Sequence, residues 1–323
     1  MSFIVKYLGN CGEDITNILH QSEQDITNGH KTALVCSVGN MVKYQQYALP
    51  VYKTLEELRN STEDIMFVCC ENDAARFAVD CAARLKAVEC QVFTVNDGIF
   101  TADPEIADYS VRLDKIDYDE VIELCNSGYT YVDMDMVEKA KKLGVVLRVL
   151  SCKSSQWQGT IIKEVMAFGS ATVKGIIKEP DICIVSLREI PDVPGISYHI
   201  FKAVSDAGVN VDMISLPASD YGKQDISFTI HKEDKETTED ILKEKQIELG
   251  YSDVVIKDDV AKISVVGSGV KTSKGVAASV FGILYENNIN LRLISTSEIK
   301  INVFVDKSDA DIAVQKIHQY FIG

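Results

Sequence analysis

The chain has 323 residues, enough for two or three domains with ample core. Hydrophobic content of 46% and charged content of 25% are ordinary for a globular protein. A formal net charge of -15 opposes a phosphate backbone, and no apolar run approaches the roughly 20 residues of a membrane span. Neither a nucleic-acid nor a membrane partner is expected.

The first six residues begin directly in a strand pattern, without the apolar region of a signal peptide. Nine cysteines, all at or before Cys183, show no metal-ligand spacing. That odd, scattered set predicts reduced, buried thiols, a cytoplasmic location and no metal site.

Residues 2–7 read as a buried strand, and 13–30 as a helix with Ile15, Ile18, Leu19 and Ile26 on one face. A second strand follows at 33–38. Helical signal returns over 45–59, interrupted by Pro50, and 65–70 is a third strand. Asn72 or Asp73 caps a helix whose apolar positions are Ala75, Ala78, Val79, Ala82 and Leu85. A fourth strand at 90–95 enters the turn Asn96-Asp97-Gly98. After a looped stretch to Leu113 come helices at 118–126 and around 136–143, the second with Gly144 suited to its C-cap. A strand at 145–150 ends this half. Apolar strands alternating with helices predict a three-layer αβα domain with a parallel sheet, over residues 1–168.

Residues 154–170 read as a connection, with the lone Trp157 packed into it. Beyond it the chain repeats. A shift of eighty positions carries Gly195 onto Gly275, Phe201 onto Phe281, Asn210 onto Asn290, and Ile214-Ser215 onto Ile294-Ser295. Such a fixed period signals two copies of one supersecondary unit. The first copy reads strand 182–187, helix 196–207, strands 211–217 and 225–231, helix 236–249, strand 252–257. That is βαββαβ, a ferredoxin-like unit. The second reads strand 261–266, helix 275–286, strands 290–296 and 300–305, helix 308–321, and lacks its sixth element. The strand at 171–178 is expected to supply it. The block 169–323 then holds one unit over 180–258 and a second over 259–323 completed by 171–178.

Several motifs carry a resemblance. Asp97-Gly98-Ile99-Phe100-Thr101-Ala102-Asp103-Pro104 is followed at fixed spacing by Leu113-Asp114-Lys115-Ile116-Asp117. Val193-Pro194-Gly195-Ile196, Asn210-Val211-Asp212-Met213-Ile214, Asp225-Ile226-Ser227-Phe228-Thr229 and the run from Ile294 to Lys300 complete the set. Together they resemble the aspartokinase family, ATP-dependent kinases of L-aspartate that open lysine, threonine and methionine synthesis. The match is clear from Ala74 to the C-terminus and weaker over 2–40. The resemblance implies an amino-acid-kinase-like domain followed by two amino-acid-sensing ACT domains.

The departures lie in the chemistry. The family's Lys-Phe-Gly-Gly-Thr-Ser phosphate loop reads Lys6-Tyr7-Leu8-Gly9-Asn10-Cys11, leaving Lys6 and Gly9 as residual catalytic positions. Its Gly-Arg-Gly-Gly-Ser-Asp loop aligns with Cys70-Glu71-Asn72-Asp73-Ala74-Ala75, so acids replace a cation and glycines. A Thr-Asp pair reads Thr94-Val95, a basic residue after Asp-Pro is Glu105, and a Leu-His-Pro-Arg segment reads Val132-Asp133-Met134-Asp135. The stretch between Gly39 and Asp64 is much shorter than the family's. Phosphoryl transfer rests on neutralising developing negative charge, so the expectation is a pseudokinase, with an active aspartate kinase as the alternative. ATP and Mg²⁺ are implied only if that activity is retained. The positions then lining the nucleotide are Thr94, Asp97, Gly98, Phe100, Asp103 and Pro104.

Two readings stand for several residues. Lys6 is either a phosphate ligand or, preferred, a solvated lysine at a strand end. Asp97-Gly98 either grips nucleotide or only closes a turn. In the repeated units the loops before each helix suit a ligand carboxylate. The expected effector is a free amino acid, lysine or threonine. It would contact Asp192, Pro194, Gly195 and Ile196; then Asn210, Val211, Asp212 and Met213; then Gln224, Asp225 and Ile226. Asp212 would take the ligand ammonium. Asn290, Ile294, Ser295, Thr296, Ser297 and Glu298 of the other unit would close the site. Exposed sheet edges predict a homodimer through the ACT units, or a hetero-oligomer with an intact aspartokinase.

Overall fold

The computed structural model describes residues 2–9, 11, 15–52, 54–70, 73–153, 158–165, 172–217 and 222–323. Asn10, Glu71, Asn72 and Trp157, weighed above, lie outside them.

The first half alternates strand and helix. Its elements are β1 (Ser2–Tyr7), α1 (Thr16–Thr27), β2 (His30–Ser37), α2 (Val38–Tyr44), β3 (Val51–Tyr52), α3 (Leu55–Asn60), β4 (Ile65–Cys70), α4 (Ala74–Leu85), β5 (Cys90–Thr94), β6 (Lys115–Ile116), α5 (Tyr118–Asn126), α6 (Met134–Leu143), β7 (Leu147–Ser151) and β8 (Thr160–Ile162). They form an eight-stranded sheet in the order β3-β4-β2-β1-β5-β7-β8-β6. All neighbours pair parallel except β7 and β8. Strand residues on one face, Val5, Val35, Val92 and Val149, pack under α4, α5 and α6. Those on the other, Leu34, Phe67, Phe93 and Leu150, pack with Ile15, Ile18 and Tyr44 near α1 and α2. Both faces are therefore covered, as a parallel sheet requires.

Two expectations change in detail. The helical signal over 45–59 resolves into α2, a 3₁₀ turn at Gln45–Tyr47, the short β3 and α3. Ser37 caps α2 by accepting the Asn40 amide at 3.3 Å. Pro50 ends the helical run, and its carbonyl accepts the Phe67 amide at 2.8 Å, starting an edge strand instead. Within the expected connection, β8 pairs antiparallel with β7.

The second half contains β9 (Gly175–Pro191), α7 (Ile196–Asp206), β10 (Ile214–Ser215), β11 (Lys223–His231), α8 (Lys235–Leu249), β12 (Asp253–Val266), α9 (Gly269–Thr272), α10 (Val276–Glu286), β13 (Leu293–Thr296), β14 (Lys300–Asp306) and α11 (Ala310–Phe321). These strands make one six-stranded sheet, β10-β11-β9-β12-β14-β13. The strands read separately as 171–178 and 182–187 are a single 17-residue strand, β9. Those read as 252–257 and 261–266 are likewise one strand, β12. Their far halves pair as Asp253↔Arg188 through Lys257↔Ile184, and their near halves as Lys262↔Glu179 through Val266↔Gly175. Register shifts at 257–262 divide the two halves. Each half thus supplies two strands to one βαββαβ unit, and residues 175–179 serve as fourth strand of the second.

The repeat is kept in backbone detail. Gly195 and Gly275 cap α7 and α10 with φ of 93° and 88°, a conformation glycine adopts without Cβ strain. Ile200, Val204, Phe228 and Leu242 fill the first unit's core; Val280, Leu284, Val303 and Val314 fill the second's. The second unit also docks on the first half. Ile177 and Val266 belong to the kinase-like core beside Leu124 and Val121. Buried Glu120 accepts the Ser268 amide at 2.9 Å, and Lys300 pairs with Glu123 at 2.8 Å.

Candidate functional site

Three adjoining cavities open at the carboxyl ends of β1, β5 and β7, where open α/β sheets bind ligands. One of about 290 Å³ is lined by Tyr7, Gly9, Thr94, Tyr131 and Asp133, among others. A second of about 430 Å³ is lined by Asp97, Phe100, Asp103, Pro104, Glu105 and Lys153. A third of about 490 Å³ continues from Phe100 and Tyr131 to Ile176, Lys178 and Val314 of the second unit. The structure therefore brings Gly9, Thr94, Asp97, Phe100, Asp103 and Pro104 to one cleft.

Gly98 stands behind the wall. Its φ is +125°, and a Cβ there would lie 2.6 Å from Thr160 Oγ1. Thr160 Oγ1 donates to the Leu113 carbonyl at 2.6 Å and accepts the Ile99 amide at 2.9 Å. The glycine is required by this close approach, which accounts for the turn without a ligand. Asp103 is also partly engaged: its Oδ1 accepts the Glu105 amide at 2.9 Å.

Lys6 is neither solvated nor directed at the cleft. It is fully buried on the α1 side of β1, 2.9 Å from Asp25 Oδ2 and over the Phe93 ring. Burial pushes its ammonium below the usual lysine range, against the opposing pull of Asp25. Asp25 is the residue that sequence reasoning missed. Its only signal is an acid on the inner side of an amphipathic helix.

The cleft is acidic. Among the described residues lining the 290 and 430 Å³ cavities, Lys153 is the single cation, against Asp97, Asp103, Glu105 and Asp133. The Tyr7 phenol is pushed up by burial and then by the charges of Asp133 and Asp73. Asp73 itself caps α4, accepting the Arg76 amide at 3.1 Å, and faces a groove between α4 and α6. A triphosphate needs cations where its charge collects. The described lining does not fit one well. Among the described residues no group of three His, Cys, Asp or Glu side chains could hold a metal ion.

In the second half, the exposed loop at 192–195 leads into α7, and its Asp192 amide donates to the Gly222 carbonyl at 3.0 Å. Pro194, Gly195 and Ile196 lie at that helix start, and Gln224 and Asp225 lie beside it on β11. Asp225 Oδ1 accepts the Glu189 amide at 2.8 Å. Ile226 is fully buried in the first unit's core and cannot touch a ligand there. Asp212 already holds an ammonium, that of Lys262, at 2.8 Å, and the same Nζ lies 2.6 Å from Glu179. Burial pulls Lys262 down, but bonds to Asp212 and Glu179 outweigh it and hold its pKa above the usual range. Met213 packs beside this cluster against Ile182, Ile184 and Phe304.

Asn210 and Val211 precede Asp212 in its loop; Asn290 holds the matching place in the second unit. There Arg292 replaces the acid and binds Asp306 bidentately, one contact being 2.7 Å. Ile294, Ser295 and Thr296 lie on edge strand β13, and Ser297-Glu298 on the following turn. Thr296 stands opposite Ile301, at the Gly175 end of the sheet; Asp192 follows its Pro191 end. The whole length of 17-residue β9 separates them, roughly 50 Å of extended chain at about 3.3 Å per residue. The loop at 192–196 and the run from Ser295 to Glu298 therefore do not meet within one chain, whereas Met213 packs in one cluster with Leu293, the residue before Ile294.

Comparison with known proteins places these features in context. The model of the amino acid kinase family matches residues 57–151, and that of the ACT domain matches 182–246 and 263–321. An aspartate kinase of Pseudomonas fluorescens (strain SBW25) is 36% identical over 241 residues, covering 74% of this chain and 58% of that protein. An aspartokinase of Corynebacterium glutamicum is 34% identical over 249 residues, covering 76% and 59%. The chain thus spans less than two thirds of the length of these curated relatives. In structure it is similar to the aspartate kinase of Clostridium acetobutylicum, with a TM-score of 0.77, 19% identity, and coverage of 97% of this chain and 81% of that one. It is also similar to E. coli aspartokinase III in complex with lysine and aspartate, with a TM-score of 0.67, 20% identity, and coverage of 83% and 63%. At such identities these structures speak to the fold alone.

Proposed function

The chain belongs to the aspartokinase family and carries its ACT domains, and from that premise we propose that it is a non-catalytic, amino-acid-responsive member. The observation that carries this reading is the charge of the two inner cavities of the cleft: four acids against Lys153 among their described lining, with Lys6 buried on Asp25. A transferring phosphoryl group would meet repulsion where catalysis needs stabilisation. ADP release from ATP, Mg²⁺ and L-aspartate tests it.

The kinase-like domain is taken as residues 1–168 and the ACT block as 169–323, with a first module over 180–258 and a second over 259–323 completed by 171–178. The effector is a free amino acid of the aspartate pathway, lysine or threonine. Amides at the start of α7 take the carboxylate; Asp212, beyond the far end of that 11-residue helix and shared with Lys262, takes the ammonium as part of a second chain. Because Ser295–Glu298 stands a sheet's length from the start of α7, a second chain closes the site. That chain is either another copy or an intact aspartokinase, and the assembly is cytoplasmic. Exposed Ile214 and Ile294 on the two edge strands support pairing of edges.

A second reading, an active aspartate kinase, is favoured by one observation. The loop from Asp97 to Pro104 still lines a cleft at the carboxyl edge of the sheet.

A further inference from the structure

The cleft wall at residues 100–107 is packed on the second ACT module as much as on its own domain. Ala102 and Ala107 are buried within that module's core, beside Ile176, Val314 and Ile317. The Thr101 carbonyl accepts the Ile176 amide of β9 at 2.8 Å. The Thr101 hydroxyl lies 2.8 Å from His318 Nε2 of α11, and both side chains are buried. One turn earlier on α11, Gln315 Nε2 donates to the Ile106 carbonyl at 2.9 Å. Phe100 just before these anchors, and Asp103, Pro104 and Glu105 between them, face the cleft.

We propose that His318 and Gln315 are positioning residues through which the second ACT module sets the shape of the cleft wall. The inference rests on reading the cleft as the ligand site of the kinase-like domain. Its physical basis is that the wall has few other anchors. Within its own domain it is tied mainly to the returning segment 110–112: Thr101 exchanges bonds with Val111, and Ser110 Oγ donates to the Ala102 carbonyl. That segment is itself a surface excursion between Ile99 and Leu113. Without His318 the buried Thr101 hydroxyl keeps only the Val111 amide, and hydrogen-bonding capacity left unmet in a buried site costs more than the net value of one hydrogen bond, so Thr101 follows His318 when α11 moves. Burial holds His318 below the usual histidine range, so the contact is made by a neutral ring at ordinary pH. The charged and titratable groups lining the small hollow beside it are Asp108 and Tyr109 from the wall segment and Lys316 from α11.

The test is amide hydrogen exchange on the full chain, comparing the parent with His318→Leu, Thr101→Val and His318→Gln. Loss of the buried bond predicts exchange at Thr101, Ala102, Ile106 and Ala107 roughly 5- to 100-fold faster in the first two variants. His318→Gln, which keeps an amide within reach, stays near the parent. The double variant His318→Leu/Thr101→Val exchanges no faster than Thr101→Val alone, because that variant already removes the His318 bond along with the Val111 amide's bond to the same hydroxyl. Equal exchange in parent and variants overturns the proposal, and so does acceleration that spreads equally to β5. If His318→Leu does not fold, Thr101→Val and Gln315→Leu carry the same comparison. Calorimetric titration of the parent with ADP separately tests whether the cleft takes nucleotide, as the active-kinase reading requires. A silent titration counts against that reading, in keeping with the acidic lining, while the exchange pattern decides whether α11 positions the wall.

Discussion

Replacing Lys262 by methionine should destabilise the ACT block more than any single surface change. Lys262 is 3% exposed and joins Glu179 on β9 to Asp212 on the loop after α7. Methionine fills similar volume but leaves Glu179, 15% exposed, without its cation. Removing one partner of a buried pair costs about 3–5 kcal/mol. Asp212 is 42% exposed and water screens it, so the lower end, about 3 kcal/mol, is expected. For a cooperative unit of this size that lowers the unfolding midpoint by about 6 °C or more. The companion variant Glu179→Gln/Lys262→Met removes the orphaned charge and should recover a large part of the loss. Asp212→Asn, at the solvent end, should cost no more than about 1 kcal/mol. Scanning calorimetry at pH 7 measures all three. A midpoint for Lys262→Met within 1 °C of the parent (about 0.5 kcal/mol or less), or a double variant no better than the single, would refute this account of the module junction.

Other expectations are separately measurable. His318 has its pKa lowered by burial, so its contribution to stability is present above the unfolded value near 6.5 and is lost as pH falls from there through the lower folded value. His318→Gln should flatten that part of a stability–pH curve, and an unchanged slope would contradict the assignment. Gly98→Ala forces a Cβ against Thr160 at a positive φ and should cost about 2 kcal/mol or more in denaturant titration. A neutral substitution would mean the turn relaxes. Thermal-shift titration with all twenty amino acids should give a response to lysine or threonine that Asp212→Asn weakens. No shift at millimolar ligand, or an undiminished response in Asp212→Asn, would remove the proposed effector site.

Much of the fold is legible because its signals are local. The apolar strands at 2–7, 65–70 and 90–95 need only sequence pattern, and the eighty-residue repeat identifies two copies of one ferredoxin-like unit. The fusion of two short strands into β9 and two into β12 is not legible, since Asp181 and Asp258-Asp259 interrupt both apolar runs like turn residues. In the structure these acids sit at or near the bulged junction between the half-sheets. The site is less legible than the fold because charge pairing is non-local. Lys6 pairs across to a helix nineteen residues on, and Lys262 reaches Asp212 fifty residues back. A lysine within the apolar run Val260–Val266 is a visible signal of a buried partner, but the partner's identity depends on the packed modules. Thr101 and His318, 217 residues apart, carry no sequence sign of contact.

The most direct test of the central claim is a coupled assay of ADP release by the pure full chain with ATP, Mg²⁺ and L-aspartate. The acidic cleft and the buried Lys6–Asp25 pair predict no aspartate-dependent ADP release above the blank, whether or not lysine or threonine is present. Aspartate-dependent turnover on the order of 1 per second or faster would contradict that claim and establish the alternative, an active aspartate kinase.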